Sequence, residues 1–546
     1  MARRRNAAVL AAYTAISFLY FGLRLLPHPG RSYVGEGADP EIFIWSFAWW
    51  PHAILNGENP IVTHAIWAPD GVDLAWTTSI PGLALALAPL TLAAGPVVAY
   101  NVAAILMPAL AAWTAFLLCH RVVGRTWPAL LAGYLFGFSS YMLGQQFGHM
   151  HMTSVFLLPL VPLLVLRYLD GDIGERRLAV LLGALLAAQL SLSTEVALTL
   201  TMALVVGLAI AWVAAPDRRA RLRRLVAPLA GAYAVGAVLA SPLLVYALRD
   251  FERGSINPPG TYTADLLNFF VPTRIVAVSG SWASEQALVF PGNDAERGAY
   301  IGIPTLLIIA LHALRSHRTA ATRFLVAAVG IAALAALGST LIVSGRRTVP
   351  LPWTLVDGLP GLNNVLPVRL SVFALLAAAV LVARWLADDR TSVWLRIALA
   401  ALAIASVVPD PNVSWRTTPD RPAFFADRGY EGTVAPADNL IVLPYGANGH
   451  SMLWQAESGF AFRMAGGYIR PEIPPPFAQF RAVHAFASND PTATADDLRA
   501  FASAKDVTAV VVERDDAGFW PFLEPFGPPL GVDDVLIYRI AAEGDP

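Results

Sequence analysis

The sequence predicts a polytopic α-helical membrane protein with a small carboxyl-terminal α/β domain. Of its 546 residues 56% are hydrophobic and only 14% are charged. The mean hydropathy of +0.55 is far above that of a soluble domain. Apolar segments long enough to cross roughly 30 Å of hydrocarbon recur from the amino terminus to residue 408. A formal net charge of −1 gives no electrostatic footprint for nucleic acid. The single cysteine, Cys119, excludes an intrachain disulfide.

The opening MARRRNAAVLAAYTAISFLYFGLRLL has the basic head and apolar run of a signal peptide. No small-residue cleavage site follows in LPHPGRSYV, so it reads as a retained first membrane helix. With this first span at 7–26, further crossings are expected at 97–119, 127–143, 152–168, 178–193, 196–215, 225–246, 300–314, 324–343, 369–386 and 395–408, about eleven in all. Basic clusters at Arg3 to Arg5, His120 to Arg125, Arg176 and Arg177, DRRARLRR at 217–224, RSHRTAATR at 315–323 and Arg384 to Arg396 then fall on one side. Arginines near helix ends favour the cytoplasm, so the amino terminus is expected inside and the carboxyl terminus outside. That parity makes the apolar segment 80–94 a half-embedded or interfacial helix of a long first outer loop, 27–96.

The transmembrane domain thus spans 1–408. Beyond Pro409 the composition turns mixed and polar. NLIVLPYG at 439–446, DVTAVVVE at 506–513 and DVLIYRI at 534–540 read as strands, and DPTATADDLRAFASA starts as a helix does. An extracytoplasmic α/β domain over 409–546 is the expectation. Lys505 is the only lysine among 38 basic residues, an arginine bias that suggests a GC-rich bacterial coding sequence; with the apolar spans, the expected location is the bacterial inner membrane.

The outer side receives the long loops, and long loops are usually functional. In VGEGADPEIFIWSFAWW three carboxylates, Glu36, Asp39 and Glu41, precede a block with three tryptophans. Asp-Pro-Glu is a good helix start with Asp39 as N-cap. The apolar helix it opens suits the membrane interface, where a carboxylate at its tip would meet a lipid-linked substrate. His149 and His151 in GQQFGHMHM are compatible with metal ligation, with contact to a phosphate, or with plain interfacial hydrogen bonding. Glu195, in the turn between two apolar helices, carries a desolvation cost unless it has a partner or is solvated. The loop 247–299 carries Arg274 in NFFVPTR and Glu296 and Arg297 in DAERGAYIG, and Arg369 stands at the outer mouth of a helix. Arginine presents a planar fork of donors suited to phosphate; any one alone reads more readily as an interfacial anchor, but three on the same face as Asp39 favour phosphate binding.

In layout these residues resemble the GT-C membrane glycosyltransferases that use polyprenyl-phosphate sugars, a superfamily that includes protein mannosyltransferases and aminoarabinose transferases. The resemblance rests on one helix, a long outer loop opening with GEGADPE, the Asn-Pro turn NGENP, and a half-embedded helix ending in Gly-Pro, LTLAAGP, followed by a helix bundle. The later pieces GHMHM, STE, ERGAYIG, VLPVR, LPYG and MLWQAESGFAFRMAGGY look like an uncharacterised bacterial subgroup with that layout. It implies an inverting transfer of a sugar from a polyprenyl phosphate to a glycan, lipid or protein acceptor outside the cytoplasm. The family's first-loop acid matches Asp39 best, with its neighbours Glu41 and Glu36 as alternatives, and would be the general base. His149, His151, Glu195, Arg274, Glu296, Arg297 and Arg369 would contact substrate, with arginines stabilising the departing phosphate. Some relatives need a divalent cation and others do not; the first loop has no Asp-Asp or Asp-x-Asp pair, so no cofactor is assigned.

Two other classes compete. A transporter or flippase would need polar or broken helices near the membrane midplane, whereas the polar motifs here cluster at outer helix ends. A non-catalytic assembly protein would scatter its outer carboxylates without a shared environment.

Overall fold

The computed structural model describes residues 2–249, 256–257 and 260–540. Residues 250–255 and 258–259 of the expected loop 247–299, and residues 541–546 of the expected carboxyl-terminal domain, lie outside the described residues.

Among the described residues, four helices are long and apolar enough to cross a membrane: Arg3–Leu25, Pro96–Val123, Thr194–Ala214 and Pro367–Leu386. Pro216–Arg223 with Val226–Leu239, bent by 45°, gives a fifth if taken as one span. Shorter apolar helices are Leu160–Leu169, Ile303–Ser316, Ala320–Ala336 and Val393–Ala405. The chain is therefore a multi-pass membrane protein. Several segments expected to cross unbroken do not. The segment 127–143 is split into Thr126–Gly137 and Ser140–Gln145, the second capped where Ser139 Oγ accepts from Met142 N. The segment 152–168 is split into Met150–Thr153 and Leu160–Leu169. The helix expected over 324–343 ends at Ala336, ahead of Gly338 at φ 72°, and Thr340–Val343 continues as a strand paired with Arg346–Pro350. A left-handed glycine stops a helix, and the β-branched run beyond it suits an extended chain.

Two compact units divide the chain: Met1–Arg24 with Ala103–Pro242 and Phe251–Trp415, and Leu25–Val102 with Leu243–Asp250 and Arg416–Pro546. This division differs from the expected boundary at 408/409, because the first outer loop clusters with the carboxyl-terminal residues.

The first unit is helical. Ser371–Leu386 is buried along nearly its whole length, with Ala378 and Leu381 packed against Ile309. Helices Glu175–Leu192 and Val226–Leu239 approach so closely that a Cβ at Gly183 would sit 2.6 Å from the Ala232 carbonyl oxygen. Val205, Val213 and Val238 are exposed, as apolar residues facing lipid would be.

The second unit is α/β. Its five-stranded sheet has the order Leu530–Val532, Val535–Arg539, Val507–Glu513, Asn439–Leu443, Arg463–Met464. Asn439–Leu443 pairs in parallel with both of its neighbours, and the other pairs are antiparallel. The expected helix is Ala495–Ala504, opened by a Thr494/Asp497 capping box. First-loop residues are woven into this unit. Tyr33–Val34 pairs with Arg416–Thr417, Asn439 Nδ2 donates to the Ala68 carbonyl at 3.0 Å, and Lys505 Nζ reaches Asp70 at 2.6 Å. The segment 80–94 forms two short helices, Pro81–Ala86 and Ala88–Ala94.

Helix Asp39–Leu55 corrects one expectation. Trp45, Trp49 and Trp50 are at most 4% exposed, and Trp45 Nε1 donates to Gln455 Oε1 at 2.8 Å. The tryptophans are therefore core of this unit rather than anchors at a lipid surface. A helix apolar on all sides is covered by lipid or by protein, and here protein covers it.

Candidate active site

In the second unit the site is built at the start of helix Asp39–Leu55. Gly35 and Gly37, at φ 112° and 75°, turn the chain out of the strand Tyr33–Val34. Asn101 fixes that strand, accepting from Val34 N at 3.0 Å and donating to the Ser32 carbonyl at 2.8 Å. Ala38, not Asp39, is the N-cap, and it makes no side-chain cap. The Asp39 carboxylate is thereby left for other work: it accepts from the Tyr468 hydroxyl at 3.0 Å.

The three first-loop carboxylates have separate environments. Glu36 is exposed and Asp39 is half-buried, while Glu41 is 2% exposed. Glu41 Oε1 accepts from the Tyr33 hydroxyl at 2.9 Å and lies 2.5 Å from His450 Nδ1. Burial alone would lower the His450 pKa, but the hydrogen bond and charge of Glu41, with Glu513 and Asp420 nearby, raise it above the ordinary value. Burial and then Glu41 push the Tyr33 phenol up. Glu513 is pushed up to about 7 by burial and by the charges of Asp420 and Asp516. Glu41 thus faces protein donors, and Asp39 is the carboxylate with both a positioning contact and access.

In the first unit a charge cluster joins four of the predicted residues. Arg369 Nη1 donates to Glu195 Oε2 at 2.5 Å. Its Nε lies 3.0 and 3.1 Å from the two Glu296 oxygens, and Nη2 donates to Glu296 as well. Gln145 Nε2 donates to Glu296 Oε2 at 3.3 Å, and His149 Nδ1 lies 2.7 Å from Gln145 Oε1 and 3.3 Å from Glu296 Oε1. Burial would raise the Glu296 carboxyl, but Arg369 and His149 outweigh it and hold the carboxyl low. The pKa of His151, whose ring centroid lies 5.9 Å from that of His149, is driven well down by burial and by Arg369. Glu195 therefore has the partner that its position demanded. The Arg369 donors face carboxylates, and this guanidinium is the cation that neutralises them.

Arg274 and Arg297 lie apart from that cluster, around Asp294. Arg274 Nε donates to Asp294 Oδ2 at 2.5 Å, and Arg297 Nη1 lies 3.7 Å from Asp294 Oδ1. With Ser284, Glu285 and Leu288 they line a depression of about 140 Å³.

Among the described residues no group of three His, Cys, Asp or Glu is arranged to hold a metal ion. The carboxylates that come together do so around Arg369 or around the donors Tyr33 and His450. This donor set does not fit a divalent cation.

His450 and Tyr468 were not singled out by sequence reasoning. Tyr468 ends the MLWQAESGFAFRMAGGY stretch that carried part of the resemblance, and His450 precedes that stretch by two residues. Their link to the acidic first loop spans some four hundred residues, and no local pattern encodes it.

Apolar helices long enough to cross a membrane, together with a long first loop that holds an acidic helix start, define a polytopic membrane protein. Arabinofuranosyltransferase AftD from Mycobacteria shares this fold with a TM-score of 0.56 and 17% identity; the match covers 100% of this chain but 42% of that one. The chain belongs to the family described as Domain of unknown function (DUF6311), whose model matches residues 9–400. Archaeal oligosaccharyltransferase AglB from Archaeoglobus fulgidus, in complex with an inhibitory peptide and a dolichol-phosphate, matches with a TM-score of 0.49 and 13% identity over 94% of this chain and 70% of that one. ArnT from Cupriavidus metallidurans, bound to undecaprenyl phosphate, matches with a TM-score of 0.48 and 14% identity over 99% and 98% of the two chains. Among curated proteins none matches this sequence.

Proposed function

We propose that the protein is a membrane glycosyltransferase that moves a sugar from a polyprenyl-phosphate donor to an acceptor hydroxyl outside the cytoplasm, with inversion. The observation that carries this reading is the Asp39 carboxylate, half-buried at the start of its helix and held by the Tyr468 hydroxyl at 3.0 Å, in a fold shared with an arabinofuranosyltransferase. Asp39 takes the proton of the acceptor hydroxyl as general base. The acceptor oxygen bonds to the anomeric carbon, the bond from that carbon to the phosphate oxygen breaks, and polyprenyl phosphate leaves with the electron pair. Glu41, buried and engaged by Tyr33 and His450, does not touch substrate in this scheme. Arg274 and Arg297 suit an anionic headgroup. His149, His151, Glu195, Glu296 and Arg369 order the first unit's loop ends rather than grip phosphate. About eleven crossings, with the amino terminus inside and the carboxyl-terminal residues outside, remain the topology that the basic clusters favour.

The test is transfer of a sugar from a polyprenyl-phosphate donor by membranes carrying Asp39→Asn. Loss of roughly 10²- to 10⁴-fold, with normal insertion, is expected for a general base. Undiminished transfer removes Asp39 from the chemistry and favours the non-catalytic assembly reading.

A further inference from the structure

The base proposed above is anchored from two directions by residues of the carboxyl-terminal segment. Tyr468 binds the Asp39 side chain directly. His450 binds Glu41, two residues further along and in the same first helical turn. Glu41 is 2% exposed and also receives the Tyr33 hydroxyl, so it is a fixed internal carboxylate. A buried carboxylate is stable when a donor or a cation compensates it. His450 is the cation: its Nδ1 lies 2.5 Å from Glu41 Oε1, and its side chain is 32% exposed. The groups that face the imidazole are Glu41 on the first-loop helix, Asp420 ahead of the helix Ala423–Ala426, Glu513 at the end of a central strand, and the Trp454 ring at 6.2 Å. Apart from Trp454 these are acidic, so the surroundings favour the imidazolium. Deprotonating it leaves the buried Glu41 with neutral donors alone, the imidazole N–H and the Tyr33 phenol, and the turn that presents Asp39 loses its charged tether.

We propose that His450 is a positioning residue for the Asp39 base, its imidazolium holding Glu41 and hence the first turn of helix Asp39–Leu55, so that sugar transfer depends on His450 being protonated. The inference rests on the reading of Asp39 as base. It gives the carboxyl-terminal residues a part in setting catalytic geometry.

The sign follows from the direction of the shift. His450 titrates above the ordinary histidine value of 6.5, so the tether is intact below that value and is lost as pH rises through the higher one. The experiment measures kcat and KM for transfer from a polyprenyl-phosphate sugar across pH in the full-length protein, for wild type, His450→Gln and Glu41→Gln, with Asp39→Asn in parallel. Wild type is expected to lose kcat on the alkaline side while KM stays constant. His450→Gln should lower kcat about 10- to 100-fold, the scale of a misplaced catalytic group, and abolish that alkaline loss. Glu41→Gln should move the loss to lower pH, since it removes the carboxylate that favours the imidazolium. A wild-type profile with no alkaline loss overturns the proposal even if neither variant folds, and so does a His450→Gln protein with wild-type kcat and pH profile. Full activity of Asp39→Asn brings down the base assignment itself, whereas an inactive Asp39→Asn beside an unaltered His450→Gln defeats only the positioning role.

Discussion

The Tyr468 hydroxyl donates to Asp39 Oδ1 at 3.0 Å, joining residues 429 positions apart in the chain. A phenol in this position orients the carboxylate that is proposed to take the acceptor proton. Tyr468→Phe keeps the ring and removes only the hydroxyl. Hydrogen bonds to charged groups contribute about 1.5–3 kcal/mol, so kcat should fall roughly 10- to 100-fold, with little change in thermal stability. Transfer assays beside a melting curve on the purified protein check this; an unchanged kcat means that Asp39 needs no such support.

The Arg369 cluster makes a different demand, on stability rather than rate. Arg369 is 11% exposed at its side chain, Glu195 17% and Glu296 2%. Removing the guanidinium leaves two poorly solvated carboxylates without compensation, a change that typically costs about 3–5 kcal/mol. Arg369→Gln should therefore lower the melting temperature sharply and reduce the yield of folded protein. The triple change Arg369→Met, Glu195→Gln and Glu296→Gln should restore much of the loss, because no charge is then left unpaired. Fluorescence-detected unfolding in detergent separates the two; equal melting temperatures for wild type and Arg369→Gln contradict the cluster's role.

Parts of this architecture were legible in the sequence because they are local. The carboxyl-terminal strands and the Thr494/Asp497 helix start depend on neighbours within a few residues and were found where expected, whereas several of the apolar runs proved to be broken. The partners of the acidic stretch were not legible. Tyr468 and His450 reach Asp39 and Glu41 only because the first outer loop folds with residues beyond Arg416. The same cause misdirected the reading of IFIWSFAWW: hydrophobicity marks a helix that avoids water but does not say whether lipid or protein covers it. Glu195 was suspected because a charge in a turn between apolar helices needs a reason, and Arg369 because a guanidinium at the mouth of a helix suits a phosphate. Their mutual pairing, with Glu296 as third member, is long-range and emerged only in three dimensions.

Glu513 offers a test of the second unit by itself. It stands at the end of strand Val507–Glu513, its carboxyl pushed up to about 7 by burial first and then by Asp420, Asp516 and Asp534, against the opposing charge of His450. Unfolded, the same carboxyl titrates near about 4.3. A group whose pKa is higher in the folded state binds its proton more tightly there. Its favourable contribution is fully present below the unfolded value and is lost as pH rises through about 7. At pH 8 the ionised side chain works against the fold, and Glu513→Gln, which imitates the protonated form, should melt at a higher temperature than wild type. At pH 4.5 the advantage should shrink, because the folded wild type already carries the proton. Glu513 is only partly buried, so solvent screening keeps the gain to a few degrees at most, and added salt should reduce it. Unfolding curves of wild type and Glu513→Gln at the two pH values decide the matter: a stabilisation that is the same at both, or larger in acid, would mean that the acidic neighbours do not govern this carboxyl.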